Sequence, residues 1–215
     1  MSKADNHDLT KDRLLDEAEA LFARKGYDAV SVREITNAAC CNLAAVNYHF
    51  GNKKNLYLEV FRARWIPRAR RLQESFKKSL DGEEVASPRA VARALAEAFL
   101  VGPLSDEERF RHHQLMVREL SQSTEALELV VDEVMRPFFK KLAGMLRPSM
   151  PEESGTEHLM LNILSMFAMV LHFNFARAAV TRVTGREYTE AFKNRLVEHI
   201  TEFSLTGLGV GEDLH

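Results

Sequence analysis

Apolar residues recur along this chain at three- and four-residue intervals, and no segment sustains a two-residue alternation, so the pattern predicts helices throughout. Leu14, Ala18, Leu21 and Phe22 form one stripe that begins after Thr10, a residue suited to an N-cap, and stops at Gly26. This predicts a first helix over 11–25. Ser31 followed by Glu34 is a capping-box pair opening a short helix over 32–39, with Val32, Ile35 and Ala39 inward. Asn42 is placed to cap a third helix over 43–49, with Leu43, Val46 and Phe50 at helical spacing on its inner side.

After Gly51-Asn52, a longer helix runs from Lys53 towards Ser79. It should bend near Pro67, because proline removes a backbone donor, and close at Asp81-Gly82. Further helical patterns cover 88–101, 106–122, 125–147, 155–183 and 188–206, and the tail from Gly207 to His215 reads as frayed. The expected fold is all-α: an N-terminal three-helix unit (1–52), a six-helix domain (53–206) joined through the fourth helix, and a tail (207–215).

Composition supports this reading. The 215 residues are 46% hydrophobic and 28% charged, which suits a core-forming protein, and ten Gly and six Pro leave room for long helices. The uncharged run Leu159–Ala176 is interrupted by Asn162, Ser165, His172 and Asn174. It reads as a buried helix rather than a membrane span, for which about 20 predominantly apolar residues are needed. No N-terminal apolar segment is visible, and a cytoplasmic protein without a membrane role is expected.

Two short helices joined by a three- to four-residue turn make a helix-turn-helix, whose second helix can enter a major groove. Ala44 and Ala45 are small enough for close backbone approach, while Asn47, Tyr48 and His49 carry hydrogen-bonding groups around the same turn. Ser31, Arg33 and Lys53 lie at helix starts, where amides and cations meet phosphates. The net charge of −2 hides a basic stretch: from Arg24 to Lys78 twelve Lys/Arg face four acidic residues, an excess of +8, with Lys53 and Lys54 nearest the motif.

These residues resemble the tetracycline-repressor (TetR) family: Phe22-Ala-Arg-Lys-Gly-Tyr27, Ser31-Val-Arg-Glu-Ile35, and above all Val46-Asn-Tyr-His-Phe50 followed by Lys53 and Leu56. A weaker likeness, in Ala44 to Gly51 and His172 to Leu208, points to the CecR-like branch. The resemblance implies phosphate contacts from Ser31, Arg33, Tyr48 and Lys53, and base or groove-edge contacts from Asn42, Leu43, Ala44, Asn47 and His49. Asn47 departs from the aromatic residue more usual there, and its amide can pair bidentately with adenine. Thr36 and Cys40 stand where Ala and Gly are more usual, so a left-handed Cys40 would be strained by about 1–2 kcal/mol.

The resemblance further implies a homodimer on double-stranded DNA carrying a pseudo-palindromic operator, a repressor released by a small effector and requiring no cofactor. The helix over 155–183 is apolar on all sides and must be buried on all sides, part of it by a partner subunit. Phe167, Leu171, Phe175, Phe192, Leu196, Ile200 and Phe203 are the expected dimer contacts. Trp65, Phe99, Phe110, Met116, Met166, Met169 and Phe173, with His112, Arg118, Glu119, His172 and Asn174, are candidate pocket residues for a hydrophobic or aromatic effector.

Enzyme motifs for nucleophilic, phosphate-binding or zinc chemistry are absent, and no metal site is expected, since the adjacent His112 and His113 point to different helix faces. Adjacent Cys40 and Cys41 are poorly placed for a disulfide but lie in the helix-helix turn, so a thiol-responsive regulator of the same fold is an alternative. A helical interaction protein that does not bind DNA is another.

Overall fold

The structure is a computed structural model describing residues 3–80, 86–150 and 155–210. Among the described residues there are helices and no strands: α1 (Lys3–Lys25), α2 (Val32–Ala38), α3 (Ala44–Phe50), α4 (Lys53–Val60), α5 (Ile66–Ser79), α6 (Pro88–Leu100), α7 (Asp106–Ser121), α8 (Glu125–Val130), α9 (Arg136–Leu146), α10 (Thr156–Phe175), α11 (Arg177–Thr184) and α12 (Glu190–Leu208). They fall into two compact units, one formed by residues 1–69 and 104–134, the other by 70–103 and 135–215. Residues 104–134 thus pack with the N-terminal helices although they lie far along the chain.

In the first unit α1 is central, packing on α2, α3, α4 and α7. Its stripe Leu14, Ala18, Leu21 and Phe22 is buried, together with Ile35, Val46, Leu56 and Phe61 from the helices around it. The helix begins at Lys3, ahead of the expected start, because Thr10 continues the helix instead of capping it. Burying a Leu- or Phe-sized side chain contributes about 1.5–3 kcal/mol, so this stripe is what orients the short helices. An edge-on aromatic series adds to it: Phe22 to Tyr57 at 4.8 Å, Tyr57 to Phe61 at 5.2 Å, and Trp65 stacked on His112 at 4.3 Å.

Glu19, fully buried on α1, has no distinguishing mark in the sequence. It receives two hydrogen bonds from Arg68 and one from Arg111, and Arg68 also approaches Glu108 at 3.7 Å. A buried carboxylate persists only when its charge is answered in this way.

The second unit is built on α12, which lies along α6 and α10, with α9 against both α6 and α10. Leu95, Leu100, Leu142, Leu146, Ile163, Val170 and Ile200 are at its centre. The last helix extends to Leu208, whose side chain is buried, so the chain stays ordered past the point where fraying was expected.

The bend expected near Pro67 takes another form, and a second one accompanies Pro137. A π turn, Phe61–Trp65, precedes Pro67, and a second, Val131–Met135, precedes Pro137. Proline cannot donate to the carbonyl four residues back, and the ladder widens over the turn before it. The long helix expected over 155–183 also divides at Ala176. The Tyr188 hydroxyl donates to the Phe173 carbonyl at 2.6 Å, taking an acceptor that an uninterrupted helix would give to Arg177. The expected stop at Asp81-Gly82 lies outside the described residues.

Candidate nucleic-acid interface

Local hydrogen bonds set α2 and α3 at their angle. Ser31 is the N-cap of α2 and accepts from the Glu34 N–H at 3.1 Å. The reciprocal half of the expected capping box is missing, because Glu34 turns to Lys25 at 2.5 Å, and this hydrogen bond holds its carboxyl below the usual range. Asn42 accepts from the Ala45 N–H at 2.9 Å and so starts α3, which spends its side-chain oxygen on its own backbone rather than on a base.

Between the two helices the chain makes a Schellman turn: the Cys40 N–H reaches the Asn37 carbonyl at 3.2 Å, and the Cys41 N–H reaches that of Thr36 at 2.8 Å. Cys40 therefore takes the left-handed conformation expected of it, at φ 52°, and its side chain is exposed. The Cys41 sulfur is 3.9 Å from the Arg13 guanidinium.

With α2 and α3 so placed, one surface carries Ser31, Arg33, Asn42, Leu43, Ala44, Asn47 and Tyr48, all exposed, and Ala45, His49 and Lys53, partly so. Leu43, expected to face inward, is 56% exposed, and Tyr48 is 75% exposed. Inward positions belong to Val46 and Phe50. Leu43 at the start of α3 and Tyr48 within it therefore leave apolar surface open to solvent.

Asn52 caps α4 through the Asn55 N–H at 2.8 Å, leaving Lys53 in the first turn with its ammonium 4.3 Å above the Tyr27 ring. Part of the basic stretch is answered by carboxylates of the chain itself. Lys54 pairs with Glu125 at 2.5 Å, Arg64 with Asp12 at 3.2 Å and Asp16 at 3.0 Å, and Arg68 with Glu19. Charge counting places Lys54 beside Lys53 as a phosphate ligand, but its salt bridge to α8 competes for that role.

The other sequence candidates are distributed over both units. In the first, the Trp65 indole donates to the His112 carbonyl at 2.8 Å and is core. His112 and His113 are pushed down to about 3 and about 4 by burial and are neutral near pH 7. Met116 is buried and Phe110 is half-exposed. Arg118 donates from Nε to the Ala23 carbonyl at 3.0 Å and from Nη2 to that of Arg24, capping the end of α1. Glu119 accepts from the Tyr57 hydroxyl at 2.5 Å.

In the second unit Met166 is core, Phe99 and Phe167 meet edge to face at 5.2 Å, and Phe173 packs on His199 at 5.9 Å. Met169 and Leu171 are partly buried, as is Phe175, and His172 is exposed. Asn174 accepts from Arg177 at 3.1 Å. Of the expected dimer contacts, Phe192, Leu196 and Ile200 are buried within their own unit, because α12 turns that face to α6 and α10. Phe203 stays 60% exposed, and Leu161 and Leu164 on α10 join it. Among the described residues no cluster of His, Cys, Asp or Glu could hold a metal ion. Among the described residues one helix, Thr156–Phe175, is long and apolar enough to cross a membrane.

A turn that projects α3 with an exposed, amide- and phenol-bearing surface, flanked by a capped helix start on each side, defines a helix-turn-helix DNA-binding regulator. Comparison with known proteins agrees. Residues 14–60 match the family described as bacterial regulatory proteins, tetR family, and residues 88–208 match the C-terminal domain of the HTH-type transcriptional dual regulator CecR. The CecR protein of Shigella flexneri is 26% identical over 92% of both chains. The negative regulator of the biofilm operon icaADBC in Staphylococcus aureus (strain Newman), IcaR, is 38% identical over 47 residues, 22% of this chain and 25% of that one.

Solved structures share the fold. A putative transcriptional regulator from Pseudomonas aeruginosa PAO1 superposes with a TM-score of 0.66 at 22% identity, covering 94% of this chain and 90% of the other. A TetR-family regulator from Bordetella parapertussis 12822 gives 0.63 at 18% identity, covering 91% and 93%. The chain belongs to the TetR family of bacterial transcriptional regulators and carries the C-terminal domain of its CecR branch. It is a DNA-binding regulator and not an enzyme.

Proposed function

We propose that this protein is a homodimeric, effector-responsive repressor that acts in the cytoplasm on a pseudo-palindromic operator. The observation that carries the reading is the exposed surface of α3, where Leu43, Ala44, Asn47 and Tyr48 stand clear of the core with Ser31, Arg33 and Lys53 at its margins. In this reading Ala44 and Ala45 admit the backbone to the groove and Asn47 reads an adenine edge. Ser31, Arg33, Tyr48 and Lys53 hold phosphates, with His49 and Asn42 at the groove edge.

Exposed Leu161, Leu164 and Phe203 supply the apolar surface that a second copy would cover. The name of the Staphylococcus aureus relative supports repression, while that of the Shigella relative, a dual regulator, admits activation at some sites. An effector, hydrophobic or aromatic in keeping with the Met- and Phe-rich second unit, would act by binding one of two dimer states more tightly.

The test is selection of genomic fragments on the purified protein, followed by titration of the retained sequence. Retention of a two-fold-symmetric element with affinity that falls steeply in salt is expected. Retention of no fragment, or affinity indifferent to salt, rules the reading out.

A second reading is favoured by the exposed Cys40 thiol in the inter-helix turn, where a modification would displace α3 directly. In it an oxidant or alkylating agent releases operator from the parent, but not from a Cys40→Ser, Cys41→Ser protein. Equal release from both excludes it.

A further inference from the structure

A cleft of about 750 Å³ opens within the first unit, on the side where α1 ends. Its wall is made by the end of α1 and the turn after it (Lys25 to Ala29), by Tyr57 of α4, and by the last turns of α7 running into Ser123 and Thr124. The volume is in the range of sites that hold small organic molecules. It shares no wall residue with the exposed surface of α3.

The buried carboxylate of the wall and both its cations are answered by the protein, while Asp28 is exposed. The Glu119 carboxylate is buried and accepts from the Tyr57 hydroxyl at 2.5 Å, the Thr124 N–H at 2.9 Å and the Thr124 hydroxyl at 3.0 Å. Arg118 is committed to the Ala23 and Arg24 carbonyls, and Lys25 to Glu34. A charged occupant would give up water without meeting a buried countercharge, which is unfavourable.

What the wall does offer is neutral. The amides of Gln114 and Gln122 and the hydroxyl of Ser123 make no side-chain hydrogen bond among the described residues. Tyr27 and Val117 add ring and apolar surface, with the buried Tyr57 ring 4.9 Å from that of Tyr27. Gly26 keeps the cleft open against Arg118: at φ 85° it is left-handed, and a Cβ there would come within 3.1 Å of Arg118 Nη1.

We propose that this cleft is a binding site for a neutral, ring-containing small molecule bearing hydroxyl or amide groups. The ring lies against Tyr27 and Val117, and its polar groups meet Gln114, Gln122 and Ser123. The site is distinct from the Met- and Phe-rich interior of the second unit and selects different chemistry.

Disulfide capture tests this without DNA, so its outcome is independent of operator binding. A Ser123→Cys protein, and a Glu128→Cys protein as the exposed control outside the cleft, are equilibrated with three disulfide-linked probes: a hydroxyphenyl amide, a benzoate and a benzylammonium. Adducts at the new thiol are read by peptide mass as 2-mercaptoethanol is raised. The hydroxyphenyl amide on Ser123→Cys should survive about tenfold more reductant than either charged probe there, or than any probe on the control; such a factor corresponds to about 1.4 kcal/mol of non-covalent binding. Adding Gln114→Trp, which fills the cleft, should abolish that advantage while the melting temperature is kept. Equal retention of all three probes at both positions, or stronger retention of a charged probe on Ser123→Cys, overturns the proposal.

Discussion

The Tyr57 hydroxyl of α4 and the Glu119 carboxylate of α7 share a 2.5 Å hydrogen bond in the interior of the first unit. Burial and this bond both raise the Tyr57 phenol above its ordinary range, so it remains a donor at every pH the protein meets. Glu119 also accepts from Thr124, so one carboxylate fastens the DNA-binding helices to the end of α7 and the start of α8. Tyr57→Phe keeps the ring contacts and removes the donor. It should cost about 1–3 kcal/mol in urea unfolding, because a buried acceptor loses its partner. A change under a few tenths of a kcal/mol would mean that water or Thr124 replaces the phenol fully.

At the DNA surface, Asn47→Ala and Lys53→Ala should fail differently. Loss of a base reader changes the ranking of operator variants, with about 1–3 kcal/mol of discrimination lost at one position. Loss of a phosphate ligand weakens every operator alike and lowers the slope of log affinity against log salt by about 1. Binding titrations on a small set of operator variants at several salt concentrations separate the two. A uniform loss for Asn47→Ala removes it as a reader.

Cys40 occupies the left-handed position of a Schellman turn that glycine fills without strain. Cys40→Gly should therefore stabilise the protein by about 0.5–1 kcal/mol, the relief of strain being partly offset by greater freedom of the unfolded chain. Cys40→Val should destabilise it by at least about 1 kcal/mol. Thermal denaturation of the two variants checks the sign of each.

If α10 and α12 meet their copies in a dimer, a charge placed on that surface will be buried without a partner. Leu164→Glu and Phe203→Glu are expected to halve the mass measured by light scattering at micromolar concentration and weaken operator binding at least about tenfold. Helical circular dichroism should be retained. A dimer that survives both substitutions places the interface elsewhere.

His112 and His113 are neutral in the fold, with values depressed to about 3 and about 4 by burial, whereas in the unfolded chain an imidazole titrates near 6.5. Between those limits the unfolded state binds more protons, so stability contributed by neutral burial is present above about pH 6.5 and is lost as pH falls towards 4. Each tenfold weakening of proton binding on folding corresponds to about 1.4 kcal/mol at most. His112→Phe, which can keep the stack on Trp65, should flatten the fall of unfolding free energy between pH 6.5 and 4. An unchanged slope would assign acid lability to other groups.

Helix order and the exposed surface of α3 were legible because they rest on local rules. Ser31 and Asn42 announce helix starts, the stripe from Leu14 to Phe22 announces the central helix, and Cys40 stands where a left-handed residue is needed. The buried Glu19 could have been suspected only from its place one turn after Leu15 on a buried face. The arginines that answer it, Arg68 and Arg111, come from remote helices. Lys54 and Lys53 look alike in a count of charges, yet one is paired with Glu125 and the other lies over a tyrosine ring. The cleft at the end of α1 has no local signature, since its walls come from segments some ninety residues apart. On α12, Phe192, Leu196 and Ile200 are buried within their own unit, because an apolar stripe in the sequence does not say whether its own subunit or a partner covers it.

The chain passes between its two units three times, and a proline stands beside each passage: Pro67 before residue 70, Pro103 at residue 103, and Pro137 just after residue 134. One passage falls inside a π turn, Val131–Met135, and another follows one, Phe61–Trp65, by a single helical turn. A single long helix would transmit torsion along its whole length, and these helices are interrupted where their residues change allegiance. Replacing Pro67 or Pro137 by alanine would restore a backbone donor within a few residues of a passage from one unit to the other.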